Sequence, residues 1–543
     1  MKDLRYILAG AALTAFCLNA GARTQVRDTT VTRTVVVEQE YNPDITDASK
    51  INVLPQVSPL VASKRKVEYD VALVPAEEIP AGTLQVFTGR EAQAKALPGY
   101  ARMGHGNYGN LDVAANYLFS ISDRDHLDLT FGMDGMNGKL DLSDGKWRSR
   151  YYRTKASMDY THVFGKVDLD INGRFGLSNF NFLPSSVASK QKFTSGDVHF
   201  GVKSTDDGKF RFRAGVGLLF YERQHDYGFN GTRETIVRTE AEVTGNLSGN
   251  RFVGIAFMMD NTFYNGSTTL RNFHALNFNP YYLIQDDDWK IRLGAHVDPT
   301  IGFGKKLRVA ADVTAEYTFS DSYTLYAQAK GGKRPNDFRR LESIHPYGQL
   351  TAQVDATYGQ LNAALGFKAS PAPGVWFNLY GGYQQLKDDL MFFSRLVGAL
   401  RLMNAAQTDT DNLYAGVEAA YSYKDLVVLS ASGIYRNWKG RGEESVKEKM
   451  LAFKPALEVN LRMDIHPTPS VLFSLGYRHV SREQTDTGTI KPIGNLYAGG
   501  SYKLFQGISV YVRADNLLNK GYQYVEACPA QGINFVGGVS FQF

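Results

Sequence analysis

Ten histidines and two cysteines are the side chains of this 543-residue chain best suited to metal or nucleophilic chemistry. Their spacing does not serve it. His126, His162, His199 and His225 lie in or near separate strand-like segments, and no His-x-x-x-His or Cys/His cluster offers two ligands from one element. Cys17 falls in the leader, so only Cys528 remains after cleavage. One thiol makes neither an internal disulfide nor a cysteine metal site. Gly104-His105-Gly106-Asn107-Tyr108-Gly109 is glycine-rich, but it reads as strand and hairpin rather than as a turn between strand and helix, so a phosphate cradle is not expected. A protease or lipase would set a Ser or Asp beside a His across strands, an arrangement that linear sequence does not display. The chain therefore reads as a non-enzyme with no catalytic, cofactor or metal residues.

The charged residues that do recur are spaced two apart. Asp168, Asp170, Asn172 and Arg174 alternate with Val167, Leu169, Ile171 and Phe175. Lys209, Arg211, Arg213, Gly215 and Gly217 alternate with Phe210, Phe212, Ala214, Val216, Leu218 and Phe220. His126, Asp128, Thr130 and Asp134 oppose Leu127, Leu129, Phe131 and Met133 in the same way. Period two over about ten residues is the pattern of a tilted membrane strand with lipid on one face and a polar lumen on the other. The polar face then solvates a wide lumen or a segment that fills it. Trp376, Tyr380, Tyr383, Trp438 and Tyr511 are expected in aromatic girdles at the membrane interfaces.

Short polar turns punctuate these strands at Ser122-Asp123-Arg124, Phe164-Gly165-Lys166, Asp206-Asp207-Gly208, Ser248-Gly249-Asn250 and Asp286-Asp287-Asp288. Five more follow at Ser320-Asp321-Ser322, Pro371–Gly374, Tyr423-Lys424-Asp425, Pro467-Thr468-Pro469 and Phe505-Gln506-Gly507. Their spacing of roughly 42 residues accommodates two membrane strands and one longer loop. Longer connections are expected between them at Lys139–Arg150, Pro184–Ser195, Lys333–Gln349, Lys387–Thr410 and Lys439–Met450. Short turns alternating with long loops are the asymmetry of an outer-membrane barrel, short side in the periplasm. The reading is all-β: a transmembrane antiparallel β-barrel of about 22 strands, running from near Gly99–Gly109 to Gly532–Phe543. A β-propeller has a similar repeat length, but its blades need four short strands and a recurring signature, and neither is present.

Export is written at the N-terminus. Lys2 and Arg5 precede a largely apolar Tyr6–Leu18, and Ala20-Gly21-Ala22 supplies a cleavage site, so residues 1–22 read as a signal peptide. A buried N-terminal helix is the bland alternative. Phe16 before Cys17 argues against lipidation, which wants a small residue there. No later stretch offers the roughly 18 apolar residues of a membrane helix. Abundant Gly, Tyr, Phe and Asn then favour strands. The net charge of +5 is too small for this length to imply nucleic acid. Residues 23–85 form a polar, Pro-containing N-terminal segment placed in the periplasm or lumen, and residues 86–543 form the barrel.

The C-terminal residues carry a resemblance. Val512-Arg513-Ala514-Asp515-Asn516-Leu517-Leu518-Asn519-Lys520-Gly521-Tyr522, then Gly532–Gly538 and a terminal Phe543, resemble the last strands of TonB-dependent receptors. Val539, Phe541 and Phe543 match the alternating aromatic C-terminus through which barrel-assembly machinery is expected to recognise its clients. The resemblance implies a 22-stranded barrel in the outer membrane of a Gram-negative bacterium. It also implies uptake of nutrients such as siderophores, vitamins or glycans, powered by TonB. Val35, Val36, Val37 and Glu38 loosely resemble a TonB box, an extended segment that pairs with a partner's sheet edge. A full-length plug domain is not expected, since only about sixty residues, 23–85, separate the cleavage site from the barrel. Solute passage or uptake is the leading functional expectation. A structural subunit of a multi-protein outer-membrane complex is the alternative. Expected partners are membrane lipid, the assembly machinery, and either TonB or an outer-membrane lipoprotein, with no nucleic acid.

Overall fold

The computed structural model describes residues 97–543, apart from 143–144, 182–189, 206–207, 225–230, 321, 351, 398–399, 425, 442–450, 452–453, 483–490 and 525–527. The signal peptide, the segment 23–85 and the Val35–Glu38 run lie outside the described residues.

Period-two patterning becomes strand throughout. The first strands are β1 (Gly99–Gly106), β2 (Leu111–Ser122), β3 (Asp125–Leu142), β4 (Gly145–Val163), β5 (Val167–Asn181) and β6 (Lys190–Ser204). Next come β7 (Phe210–Arg223), β8 (Thr232–Ser248), β9 (Arg251–Asn265), β10 (Phe273–Gln285), β11 (Trp289–Ile301), β12 (Leu307–Phe319) and β13 (Tyr323–Arg334). After a helix, α1 (Phe338–Ile344), and a two-residue strand, β14 (Gly348–Gln349), the wall resumes with β15 (Thr357–Ala372), β16 (Val375–Val397) and β17 (Leu400–Tyr423). It closes with β18 (Val427–Arg441), β19 (Pro455–Thr468), β20 (Val471–Arg482), β21 (Ile493–Phe505), β22 (Ile508–Asp515) and β23 (Asn534–Gln542). Each wall strand pairs antiparallel with the next, β13 pairs directly with β15, and β1 pairs with β23. Leaving out β14, twenty-two strands close a barrel with no free edge. The Gly99 amide donates to the Phe543 carbonyl at 2.8 Å and the Phe543 amide to Gly99 at 3.0 Å, which seals the seam at the short-turn end.

All ten short turns fall between consecutive strands at that same end. Two expected loops do not exist as loops. Most of Lys139–Arg150 belongs to the β3–β4 hairpin, and Lys387–Thr410 is largely strand in β16 and β17, which run 23 and 24 residues. A membrane needs only about 9–11 residues per tilted strand, so these hairpins project beyond the bilayer and keep pairing there.

Alternation puts apolar residues outside. Met103, Leu218, Leu365, Leu413, Phe473 and Val512 face outward and are half or more exposed. An apolar band on that scale around a whole molecule is incompatible with water and is what hydrocarbon solvates. Among the described residues no helix is long and apolar enough to span a membrane; the strands do so. Val539, Phe541 and Phe543 lie on this outer face of β23 and are exposed.

The aromatic girdle is built differently from the expectation. Trp289, Tyr317, Phe319, Tyr323 and Phe367 form the stacked outward belt at the short-turn end. Tyr380 and Tyr511, by contrast, follow the polar parity of their strands and turn into the lumen. Tyr511 lies over Gly104 and Tyr380 over Gly416, where any β-carbon would clash with the ring. Trp438 is buried against Leu386 and Leu451, under the Lys454 ammonium at 4.3 Å. Trp376 and Tyr383 are exposed.

Candidate functional site

Inside the wall, the opposite parity collects charge. Arg238 grips Asp260 with two bonds of 2.7 and 2.8 Å, Arg292 meets Asp312 at 2.7 Å, and Arg513 meets Asp515 at 3.0 Å. The sequence-flagged residues join this set: Lys203 sits 3.3 Å from Asp170 and 3.7 Å from Asp168, and Arg213 bonds Glu242 at 2.6 Å. The bland reading of these faces, that they solvate a wide lumen, accounts for most of them, because Arg238, Arg292, Lys203 and Arg213 each have a carboxylate on a neighbouring strand and Arg513 has one two positions along its own. His162 bonds Asp125 at 2.6 Å, and His199 approaches Glu240 at 3.1 Å. Ser122 donates to Asp125 rather than to His162, so that trio presents no activated hydroxyl. Among the described residues no three His, Cys, Asp or Glu side chains converge as a metal site.

The unexpected element is the connection from β13 to β15. Sequence reasoning placed a long outer loop at Lys333–Gln349; the chain instead folds into the barrel mouth. Asp337 caps α1 by accepting the Arg340 amide at 2.8 Å. A seven-residue helix is too short to persist alone, so its stability comes from what it packs against. Phe338 and Leu341 are 2% and 1% exposed. They enter a cluster with Phe180 on β5, Phe193 on β6 and Tyr221 on β7. The rings meet edge to face, Phe180–Phe193 at 5.1 Å and Tyr221–Phe338 at 5.9 Å between centroids. Periodicity alone hints at none of this, although Asp337 followed by Phe338-Arg339-Arg340-Leu341 is a legible helix start.

Polar anchors fix the helix in register. Glu342 accepts from Ser178 Oγ at 2.8 Å and from the Tyr221 hydroxyl at 2.5 Å. Arg339 pairs with Asp197 and donates to the Phe220 carbonyl at 2.9 Å. The Phe338 amide donates to Glu234 at 3.0 Å, and Arg223 donates to the Gly348 carbonyl at 2.6 Å. Burial lifts the Asp337 carboxyl above the usual carboxylate range.

A second inward segment faces this one. After β22, Asn516 and Asn519 adopt positive φ of 52° and 48°, a conformation asparagine tolerates. The Asn516 side chain donates to the Lys520 and Gln531 carbonyls at 3.0 and 2.7 Å and accepts the Lys520 amide at 3.0 Å. The Asn-Leu-Leu-Asn-Lys signature is thus a turn that folds residues 516–524 and 528–533 inward. Between the two segments and the β3–β5 wall lies a cavity of about 370 Å³, lined by Tyr151, Arg153, Arg339, Tyr347, Arg513 and Tyr524 among others. Such a volume, with aromatic walls and a few convergent charges, suits a small organic solute. Tyr522 and Tyr524 are pushed up by burial and stay protonated, so their hydroxyls remain donors.

No protein-family profile and no curated protein sequence matches this chain. Solved structures do. The copper transporter OprC aligns over 82% of this chain and 80% of its own length, with a TM-score of 0.60 and 14% identity. The FrpB iron transporter of Neisseria meningitidis aligns over 83% and 82%, with a TM-score of 0.65 and 11% identity. Fiu, the ferric-catecholate import receptor of E. coli K12, aligns over 82% of both chains, with a TM-score of 0.61 and 8% identity. All three are TonB-dependent receptors with 22-stranded barrels. The chain has the TonB-dependent receptor barrel fold. It is an outer-membrane β-barrel, closed like theirs and lipid-facing on its outer surface. The receptor-type barrel meets the expectations for strand number, closure and membrane.

Proposed function

We propose that this receptor-type barrel carries a small solute across the outer membrane, taking it up at the long-loop mouth. The observation that supports the reading most is the cavity at that mouth, built from the barrel wall and two inward-folded segments. A scaffold subunit with no transport of its own needs no such chamber between its loops. The named activities of the neighbours, copper and iron transport and ferric-catecholate import, are consistent with passage of a solute. Coupling to TonB through Val35–Glu38 is part of the proposal, and no catalytic step is included in it. Solute flux into liposomes carrying the full chain tests passage, with sugars and amino acids of graded size as probes. Flux above that of empty liposomes supports it; a barrel that admits none of the probes, in the native chain and in Tyr221→Phe (which loses its bond to Glu342) alike, contradicts it. Deleting Val35–Glu40 tests coupling in cells, where unchanged uptake or growth would remove TonB from the account.

A further inference from the structure

The connection between β13 and β15 does more than line a cavity. It leaves the wall at Arg334, and its Arg339 reaches Asp197 on β6 before the chain returns to Thr357. Seven of twenty-two strand positions separate β13 from β6, so the segment spans roughly four-fifths of the barrel's diameter. Its return limb is secured separately. Gln353 and Arg271 exchange two bonds of 2.9 Å, and Gln407 bonds both the amide and the carbonyl of Asp355 at 2.9 and 2.7 Å.

The projecting hairpin covers this crossing. Among the described residues the β17–β18 pairing stops at Asp409, so β18 does not cover the edge of β17 before it. β14 fills part of that edge, pairing parallel with Met403 and Asn404. Leu390, Phe392 and Met403 then bury against the same cluster as Phe338, Leu341 and Tyr347. An apolar cluster of buried side chains therefore fills this sector of the mouth, held by the hydrogen bonds of Glu342 and the ion pair of Arg339. Neither anchor is covalent, and both sit at the inner wall where the segment meets β5–β7.

We propose that segment 335–350 is a resident barrier across the mouth, latched to the inner wall by Glu342 and Arg339, and that solute passage requires its release. This rests on the passage reading above and specifies how that site is regulated. The test uses one molecule in two states. In a Cys528→Ser background, Ser178→Cys with Glu342→Cys places thiols on wall and segment, and a reducible bifunctional thiol reagent tethers them. Conductance of the full-length variant in planar bilayers is measured tethered, then after reduction. The proposal predicts a large rise on reduction, reversed by renewed tethering. Equal conductance in the two states overturns the barrier and leaves the passage reading standing. Conductance in neither state overturns both. If the cysteine pair does not fold, Tyr221→Phe removes only one bond to the Glu342 carboxylate. Opening events then become about tenfold more frequent than in the native chain, the effect of losing one charge-assisted hydrogen bond. Unchanged opening frequency in a folded Tyr221→Phe barrel also overturns the proposal.

Discussion

Leu341→Ala isolates the apolar half of the contact between the mouth segment and the wall. Leu341 is 1% exposed and sits among Phe180, Phe193 and Phe338, so the truncation removes three buried carbons and leaves a void that aromatic neighbours cannot easily collapse into. Comparable deletions cost about 2–5 kcal/mol. The barrel wall closes through strand pairing that does not involve this side chain, so the loss falls on local opening of the segment rather than on the barrel. At the lower bound, about 2 kcal/mol corresponds to roughly thirtyfold more frequent opening. Amide hydrogen exchange by mass spectrometry, in detergent or nanodiscs, reads this directly. Peptides covering 338–349 exchange about thirtyfold faster or more, while those from β3–β5 and β19–β21 stay as protected as in the native chain. Native exchange rates in 338–349 would refute the packing argument. Faster exchange throughout the wall would refute the claim that the segment is a separable unit.

Other outcomes follow from the same contacts. Asp337 has a raised pKa in the folded segment, so its contribution to docking is complete below the ordinary carboxylate pKa and is lost as pH rises through the raised value. Exchange of 338–349, corrected for intrinsic rates, is therefore slower at acid pH than at neutral pH. Asp337→Asn keeps a capping oxygen and weakens that dependence, and adding Glu234→Gln flattens it, because Glu234 accepts the Phe338 amide beside the same carboxyl; Arg238, Asp260 and Arg339 are the other charged neighbours. Asn516→Ala removes three side-chain hydrogen bonds and puts a less tolerant residue at φ 52°, costing about 2–3 kcal/mol of local stability. Limited proteolysis then cuts within 516–533 while the strands remain intact. Phe543→Ala removes the outer-face ring that meets Tyr117 at 5.9 Å beside the seam, and heat-modifiable folded barrel in membranes decreases. Unchanged yield would separate Phe543 from assembly.

The wall was legible because lipid and water impose opposite requirements on alternate residues. Lys166–Leu177 and Lys209–Phe220 each display that alternation without help from the rest of the chain, and both are strands at the expected parity. The Asn516–Tyr522 signature was legible as a resemblance, and its chemistry appears only in three dimensions, where one asparagine closes the turn. The mouth was not legible. Phe338, Leu341 and Tyr347 look like ordinary apolar residues in a polar connection, and their partners Phe180, Phe193 and Tyr221 lie more than a hundred positions earlier. Lys387–Thr410 misled for a different reason: Leu390, Met391 and Phe392 are apolar and buried in succession, which breaks the alternation, yet strand pairing continues through them. The interfacial assignment of Tyr380 and Tyr511 failed because composition does not reveal parity, and parity decides whether a tyrosine meets lipid or covers a glycine inside.

Substituted-cysteine labelling along β5 tests the central claim, a membrane barrel with lipid outside and an aqueous lumen. In a Cys528→Ser background, cysteines replace Asp170, Ile171, Asn172, Gly173, Arg174 and Phe175 one at a time, and intact membranes are treated with a small water-soluble thiol reagent. Positions 170, 172 and 174 label and 171, 173 and 175 do not. Uniform labelling, or reactivity without a two-residue period, would contradict the barrel account.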